Sequence, residues 1–433
     1  MCCRCGTTCR RVTTALCVSI ALSLNLHYLL LFPYAGFVAL LAEALLSSRV
    51  LMTTVNFLFV SNVHNGMLAG GIPAPNRTVS YGSKPSNLLD VYDFAGRVHK
   101  KRPAVLYWHA GAFTTGGREF GAGTMSWLAA RGYVAISVQY SLTVSSDGDG
   151  VAGCIDDAWQ ALRWTVEHAS ELGVDPRKII VAGDSAGGGI ALSLATRLGA
   201  AASDVRVAAA FVGWPVVTLD ALVYGTQRDR RGKWTPTPAD ADFATENVFV
   251  PVGSAPSPEL AQLQLQRVLA GSLLIHGRSL GGWLPASLFV QPLGSKSEVA
   301  ISPLSAASQR GLPPILMLSG ANDEVVPFGQ QERFADAARR AGNRVAMLKF
   351  VRAKHGGGGT NCKAGRDAIL RFLKGRGLAA RPTAAKASAD GYVEIAKDVF
   401  KGMSPHIDEE YALPPWPWRQ LGATVTLKPA KAR

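Results

Sequence analysis

The sequence predicts an α/β fold with a mostly parallel central sheet and helices on both faces. Apolar, β-branched runs alternate with helix-competent segments from residue 88 to residue 375, which is the pattern of parallel strands joined by crossover helices. With 433 residues, 48% of them hydrophobic, the chain is long enough for one large core with appendages. We expect strands near 104–108, 133–138, 178–182, 207–212, 314–318 and 345–351.

The most informative segment is Gly183-Asp184-Ser185-Ala186-Gly187, which joins one of these strands to a helix. A G-x-S-x-G pattern in this context predicts a nucleophile elbow, a sharp turn that exposes the serine hydroxyl at the edge of the sheet. Ser185 is therefore the candidate nucleophile. The following helix, expected over Ile190–Leu198, directs its N-terminus and the N–H of Ala186 at the same point, which favours negative charge there. The alternative is a glycine-rich turn with an idle serine.

A serine nucleophile needs a histidine as general base and a carboxylate that orients the histidine. Where this elbow occurs, the chain order is serine, then acid, then histidine. His355 and His406 both follow Ser185 in the sequence. His406 lies in a polar segment flanked by proline, whereas His355 follows the strand expected at 345–351. We therefore predict that His355 is the base.

The best candidate for the acid is Asp323, which lies in the turn after the strand expected at 314–318. The carboxyl ends of parallel strands meet at one edge of a sheet, so Asp323 is expected on the same edge as Ser185. Its neighbour Glu324 is a possible substitute. A structural role in the turn is the other alternative, because turns favour Asp.

A strand end farther upstream carries small residues, in His109-Ala110-Gly111-Ala112-Phe113. Small side chains let backbone N–H groups approach a ligand, and acyl transfer needs about two or three such donors for the developing oxyanion. We predict that the N–H groups of Gly111, Ala112 and Ala186 form this oxyanion hole. His109 precedes both the acid and the nucleophile, so we expect it to hold the loop and not to act as the base.

Together these segments resemble the α/β-hydrolase esterases and lipases related to hormone-sensitive lipase. His109–Phe113 corresponds to the His-Gly-Gly-Gly segment of that family, and Gly183–Gly188 to its Gly-Asp-Ser-Ala-Gly-Gly segment. Asp323 and His355 correspond to its acid and histidine, and the likeness covers about residues 79–376. The resemblance implies an α/β-hydrolase fold, a Ser-Asp-His catalytic triad and hydrolysis of carboxylic esters, with no metal and no cofactor.

Two alanines depart from the family pattern. Ala110 stands where the family usually has glycine, and Ala112 replaces the third glycine. A backbone donor at either position survives the added methyl group only if φ stays negative.

Residues 216–300 interrupt the alternation of strands and helices. In the family an insertion at this place forms a cap or lid over the acyl pocket, and the resemblance implies the same here; a simple surface insertion is the alternative. The predicted organisation is an N-terminal segment over 1–60, a catalytic domain over 61–376 with this insertion, and a C-terminal extension over 377–433. The extension either packs back through its tryptophans or stays linker-like.

The N-terminal segment contains an apolar run over 12–42 without Asp, Glu, Lys or Arg, which is long enough to span a bilayer. Arginines precede the run, so the positive-inside rule predicts a single-pass anchor with the catalytic domain in the lumen or outside the cell. A cleaved signal peptide is the alternative. The next apolar stretch, Val50 to Val60, is either membrane-associated or a helix leading into the domain. The sequon at Asn76 agrees with a lumenal domain.

Cysteines and charge add little about the reaction. Five of the seven cysteines lie at positions 2, 3, 5, 9 and 17, where they are either palmitoylation sites or unmodified thiols. The formal net charge is +14, but the basic residues are scattered, so we expect no nucleic-acid partner and instead a basic face toward a membrane. The oligomeric state stays open.

The prediction for function is a membrane-anchored serine esterase or lipase-like enzyme that acts on a small-molecule ester. A non-catalytic protein that binds a small ligand on the same fold is one alternative. A serine amidase or peptidase is another, because the segment 323–327 also resembles the acid loop of prolyl-peptidase-type enzymes.

Overall fold

The computed structural model describes part of the chain. It describes residues 49–95, 100–218 except 114, 144, 146, 200, 201 and 203, then 226–228, 234–236, 301–382 except 324, 325 and 327, and finally 389–401, 411, 413 and 422–429. The predicted membrane anchor at 12–42, the cysteine cluster, His406, Glu324 and almost all of the predicted cap lie outside the described residues.

A mixed, mostly parallel sheet forms the centre of the described part of the chain. Its nine strands lie in the order β1-β2-β4-β3-β5-β6-β9-β10-β11. The pairings β1–β2 and β2–β4 are antiparallel and all others are parallel, as the sequence predicts. The strands are β1 (Arg77–Ser80), β2 (Leu88–Tyr92), β3 (Arg102–Trp108), β4 (Val134–Val138), β5 (Val174–Asp184), β6 (Ala209–Gly213), β9 (Ile315–Gly320), β10 (Val345–Phe350) and β11 (Thr424–Leu427). Two short strands, β7 (Thr226–Arg228) and β8 (Trp234–Pro236), form a separate antiparallel pair.

Helices cover both faces of the sheet, and strand β3 shows why. Its seven residues are all buried, and alternate side chains enter different cores. The helices are α1 (Arg49–Ala69), α2 (Ala122–Ala129), α3 (Gly150–Glu167), α4 (Ala186–Ala195), α5 (Phe328–Arg340), α6 (Lys363–Gly375) and α7 (Ala389–Lys401). Leu106 and Trp108 of β3 join the core formed with α3, α4 and α5, whereas Val105 and Tyr107 join the core formed with α1, α2, α6 and α7.

Helix α4 begins at Ala186, four residues before the start that the sequence predicts, and ends at Ala195. Glycine has a low helix propensity, and three consecutive glycines at 187–189 disfavour a helix locally. All ten residues of α4 are nevertheless buried. Packing against strands β5 and β6 therefore sets the start of this helix, against its intrinsic propensity.

The described residues after 376 include two elements of this architecture. Helix α7 packs on α2, where the would-be Cβ of Gly123 lies 2.6 Å from the Ala396 Cβ. Strand β11 pairs in parallel with β10, with Thr424 opposite Met347, and so forms one edge of the sheet. The ring of Tyr411 meets Phe350 edge-on at 4.9 Å.

Helix α1 covers the second apolar stretch of the sequence. Its side chains Val60, Val63 and Met67 are buried, and Val63 and Met67 belong to the core shared with α2 and α7. Of the helices that the structure describes, none combines the length and apolar character that crossing a bilayer requires. Of the two predictions for this stretch, the observed packing agrees with a helix leading into the domain.

Candidate active site

Three side chains that follow three different strands meet at the C-terminal edge of the sheet. Ser185 follows β5, Asp323 follows β9 and His355 follows β10. The His355 Nε2 atom lies 3.0 Å from the Ser185 Oγ atom. On the other side of the ring, His355 Nδ1 lies 2.9 Å and 3.0 Å from the two carboxylate oxygens of Asp323. The structure thus brings together the three residues that the sequence predicts as nucleophile, acid and base.

These contacts define one tautomer of the imidazole. The carboxylate can only accept, so Nδ1–H of His355 donates to Asp323, and Nε2 is left to accept the hydrogen bond of the Ser185 hydroxyl. The Asp323 side chain is fully buried, and one of its oxygens also accepts the Val326 N–H at 2.8 Å. Because both partners hold this carboxylate in place, the ring of His355 is oriented toward Ser185. Ser185 can therefore lose its proton to His355 when it attacks an electrophile.

The backbone at Ser185 has the conformation of a nucleophile elbow. Its φ of 54° and ψ of −118° are unfavourable for a residue with a side chain and cost on the order of 1–3 kcal/mol. Neighbouring segments hold the turn, since the Ser185 N–H donates to the Gly213 carbonyl at 2.9 Å. The Ser185 carbonyl accepts from Gly189 at 3.0 Å and from Val216 at 3.1 Å. The strained conformation thus persists because both the N–H and the carbonyl of Ser185 form hydrogen bonds with neighbouring segments.

The backbone of the segment 109–113 turns sharply. The angle φ is 53° at Ala112 and 64° at Phe113, so Ala112 does not have the negative φ that suits a residue with a Cβ atom. The loop turns back far enough for the Thr115 N–H to reach the Gly111 carbonyl at 2.9 Å. Gly111 has a φ of 135°, and a Cβ atom there would lie 1.9 Å from the Thr115 carbonyl oxygen. Only glycine fits at position 111, whereas alanine is accommodated at 112.

The third predicted oxyanion donor, Ala186, is the first residue of α4. Its N–H belongs to the first turn of the helix, where N–H groups have no acceptor within the helix. The loop 109–113 begins beside this helix start, since a Cβ at Gly187 would lie 2.0 Å from the Trp108 carbonyl oxygen. The roles of Gly111, Ala112 and Ala186 as donors stay predictions.

His109 is a buried residue of this loop. Its Nδ1–H donates to the Ala110 carbonyl at 2.8 Å, and its ring stacks on Tyr140 with 4.3 Å between the ring centroids. Burial lowers the pKa of His109 to about 4, so the ring is neutral near pH 7. These contacts are those expected of a histidine that holds the loop.

Three further side chains beside the triad have no role in the sequence analysis. Asp184 is buried, and its carboxylate accepts the Tyr107 hydroxyl at 2.9 Å; burial raises the pKa of Asp184 to about 6. Trp214 meets the His355 ring edge-on at 6.1 Å. Position 184 lies within the motif itself, but the motif does not reveal the direction of its side chain. Trp214 directly follows β6. This position at a strand end was the sequence feature that could have indicated a place near the triad.

Two segments of the chain match known protein families. Residues 105–268 match a family described as alpha/beta hydrolase fold, and residues 290–376 match the prolyl oligopeptidase family. The chain is similar to α/β-hydrolases of the esterase and lipase type. The first match contains Ser185, and the second contains Asp323 and His355.

The curated proteins to which this chain is similar include esterases. Carboxylesterase NlhH of Mycobacterium tuberculosis is 40% identical over 119 residues, which are 28% of this chain and 36% of that protein. A probable isoprenylcysteine alpha-carbonyl methylesterase of Oryza sativa is 24% identical over 289 residues, which are 64% of this chain and 57% of the relative. The chain thus spans between about a third and somewhat more than half of the length of these relatives. Among solved structures, esterase 2 of Thermogutta terrifontis matches with a TM-score of 0.49 and 25% identity, over 71% of this chain and 97% of that one.

Proposed function

We propose that the protein is a serine hydrolase of carboxylic esters that acts through an acyl-enzyme. The observation that carries the proposal is the continuous hydrogen-bonded chain from the Ser185 hydroxyl through His355 to Asp323, with 3.0 Å and 2.9 Å between the bonded atoms. The esterases among the relatives support an ester as the substrate. A non-catalytic binding protein has no need for an activated serine, and all three residues of the hydrogen-bonded triad are present here.

The reaction follows from the hydrogen bonds. Ser185 Oγ attacks the ester carbonyl carbon while His355 Nε2 takes the hydroxyl proton. The tetrahedral intermediate collapses as its bond to the alkoxy oxygen breaks, and His355 returns the proton to the leaving alcohol. A water molecule then attacks the acyl-enzyme with His355 again as base, and the carboxylic acid leaves as Ser185 regains its proton. Asp323 stabilises the imidazolium in both halves of the reaction.

Backbone donors are proposed to stabilise the oxyanion. We propose the N–H groups of Gly111, Ala112 and Ala186 as these donors. Ala186 is the first residue of α4, where the helix dipole favours negative charge. A small apolar pocket lies next to this place, and we assign it to the acyl chain of the ester. Its lining includes Phe113, Ile155, Ile190, Val216 and Ile301.

The decisive variant is Ser185→Ala in the full chain. We expect hydrolysis of p-nitrophenyl acyl esters to fall by roughly 10,000-fold or more, because the remaining groups bind the ester without attacking it. A fluorophosphonate probe should label the wild type and leave the variant unlabelled. Ser170→Ala is the matched control, since Ser170 is an exposed serine outside the site. Equal turnover by both variants would contradict the proposal, and a series of acyl lengths would define the pocket.

The match of residues 290–376 to the prolyl oligopeptidase family favours a second candidate, a serine peptidase or amidase. The same triad would serve, so Ser185→Ala does not separate the two functions. Paired substrates do: the ester proposal expects p-nitrophenyl esters to be cleaved much faster than p-nitroanilides with the same acyl group. Faster cleavage of proline-containing anilides would favour the peptidase.

We also propose that the run at 12–42 anchors the protein, with the catalytic domain on the lumenal or outer side. Asn76, at the sequon, is exposed immediately before β1. In a eukaryotic host, the full chain should resist extraction by alkaline carbonate, and a glycosidase-sensitive gel shift should disappear in Asn76→Gln. Release by carbonate together with an unshifted wild type would count against this orientation.

A further inference from the structure

The loop that carries two proposed oxyanion donors folds tightly on itself. Gly111 packs against Thr115, as described above, and Gly116 packs against the start of the loop. A Cβ at Gly116 would lie 2.6 Å from the Ala110 carbonyl oxygen and 2.7 Å from His109 Nδ1. Because these contacts are between backbones, or between backbone and a buried ring, a shift of residues 115–116 displaces residues 109–111 as well.

A side chain of helix α1 binds this loop at Gly116. Asn56 in α1 accepts the Gly116 N–H at 2.8 Å and donates to the Gly116 carbonyl at 3.0 Å. The carboxamide thus pairs with Gly116 as a neighbouring peptide group would, with one bond in each direction. Among side chains, only Asn and Gln carry a donor and an acceptor in this arrangement.

Helix α1 is itself firmly placed at this point. Val60, one turn after Asn56, is buried, and a Cβ at Gly117 would lie 2.8 Å from its Cγ1. Farther along, Val63 and Met67 enter the core shared with α2 and α7. The far end of α1 contacts α7, since a Cβ at Gly70 would lie 2.5 Å from the Ile395 Cγ2. Asn56 therefore extends from a fixed helix toward the loop.

We propose that Asn56 is a positioning residue for the oxyanion loop, acting through Gly116 on the N–H groups of Gly111 and Ala112. This inference rests on the proposed esterase function. Loss of the pairing leaves the Gly116 N–H and carbonyl without this partner. Residues 115–116 are then no longer held against α1. The triad itself is untouched, because Asn56 contacts neither Ser185 nor its partners through any of these bonds.

The test compares Asn56→Ala, Asn56→Asp and the control Asn62→Ala in the full chain. Asn62 is an exposed asparagine on the same helix. Four quantities are measured: kcat and KM for p-nitrophenyl acetate, the active fraction by fluorophosphonate titration, affinity for a trifluoromethyl ketone, and the melting temperature. The ketone forms a hemiketal with an activated serine and so reports on oxyanion binding.

We expect Asn56→Ala to lower kcat per active site by roughly 10- to 100-fold and to weaken ketone binding to a similar degree, with KM near the wild-type value. Asn56→Asp keeps the acceptor and loses the donor, so its kcat should be reduced but above that of Asn56→Ala. Asn62→Ala should match the wild type. An unchanged kcat per active site in Asn56→Ala overturns the inference, as does a loss explained entirely by a smaller active fraction or a lower melting temperature. An inactive wild type would instead refute the esterase proposal.

Discussion

His355 Nε2 and Ser185 Oγ are 3.0 Å apart although 170 residues separate them in the sequence. The contact depends on the order of the strands. Both residues follow the C-terminal ends of parallel strands, β5 and β10, with β6 and β9 between them. Asp323 follows β9, the strand next to β10, and contacts the side of the His355 ring that faces away from Ser185, so one edge of the sheet supplies the whole hydrogen-bonded triad. This geometry makes each member testable by a substitution that preserves its shape.

Asp323→Asn should lower kcat for ester hydrolysis by roughly 1,000- to 10,000-fold with little change in KM. The new amide can donate to His355 Nδ1, which favours the tautomer with its proton on Nε2, and that tautomer cannot accept the proton of Ser185. Steady-state kinetics with p-nitrophenyl acetate measures the effect. The control is Asp336→Asn, at a carboxylate on α5 with 55% of its side chain exposed. Near-normal kcat in Asp323→Asn would mean that another group orients His355.

Gly111→Ala should impair catalysis, whereas Ala112→Gly should stabilise the fold and leave catalysis nearly unchanged. A methyl group at 111 would lie 1.9 Å from the Thr115 carbonyl oxygen, so the loop must open, and kcat should fall by roughly 100-fold or more. At 112, where φ is 53°, glycine relieves the strain of a Cβ and should raise the free energy of unfolding by about 1 kcal/mol. Its kcat should stay within about twofold of the wild type. Kinetics and urea unfolding of both variants check the contrast; equal tolerance at the two positions would show that the loop adapts.

Asp184 should make the fold less stable as pH rises. Its pKa is raised from 3.8 to about 6 by burial, so the folded state holds the proton more tightly than the unfolded chain. The stabilising contribution is therefore complete below pH 3.8 and is lost as pH rises through about 6, by at most about 3 kcal/mol. Urea unfolding across this window should show the wild type losing stability relative to Asp184→Asn. Parallel curves for the two proteins would contradict the assignment.

His109 should act in the opposite direction within nearly the same window. Its pKa is lowered from 6.5 to about 4 by burial, so the unfolded chain takes up the proton first as pH falls. Stability is then complete above pH 6.5 and is lost as pH falls toward 4. His109→Asn retains a donor for the Ala110 carbonyl but does not titrate, so it should lose less stability on acidification than the wild type. Urea unfolding at a series of pH values measures the difference, and an equal acid response would refute the prediction.

Much of the fold follows from local patterns. The expected strands correspond to β3, β4, β5, β6, β9 and β10, because strands buried on both faces are continuous apolar runs. The start of α4 was placed four residues late, since glycine propensity argues against a helix that tertiary packing stabilises. Strand β11 was not predicted. It pairs at one edge of the sheet, and three of its four residues are not fully buried, so its sequence lacks a strong apolar signal.

The candidate site likewise has features that could be predicted from the sequence and features that could not. That Ser185, Asp323 and His355 meet could be predicted from the sequence, because each follows a strand and parallel topology puts strand ends on one edge. The positive φ of Ala112 was missed, since it results from the closing of the loop on Thr115 and not from the alanine itself. Two other interactions were missed because each joins residues that are far apart in the sequence. They are the hydrogen bond from Tyr107 to Asp184 and the pairing of Asn56 with Gly116.

The order of residue types along the chain specifies which segments are apolar enough to form the central strands, and which reactive side chains follow them. The closing of the loop around Gly111, and the choice of the α1 side chain that reaches it, depend on the packing of distant elements. Burial and turn chemistry are properties of a few neighbouring residues. The Asn56–Gly116 pairing spans 60 residues and depends on how a whole helix docks, which no local pattern records.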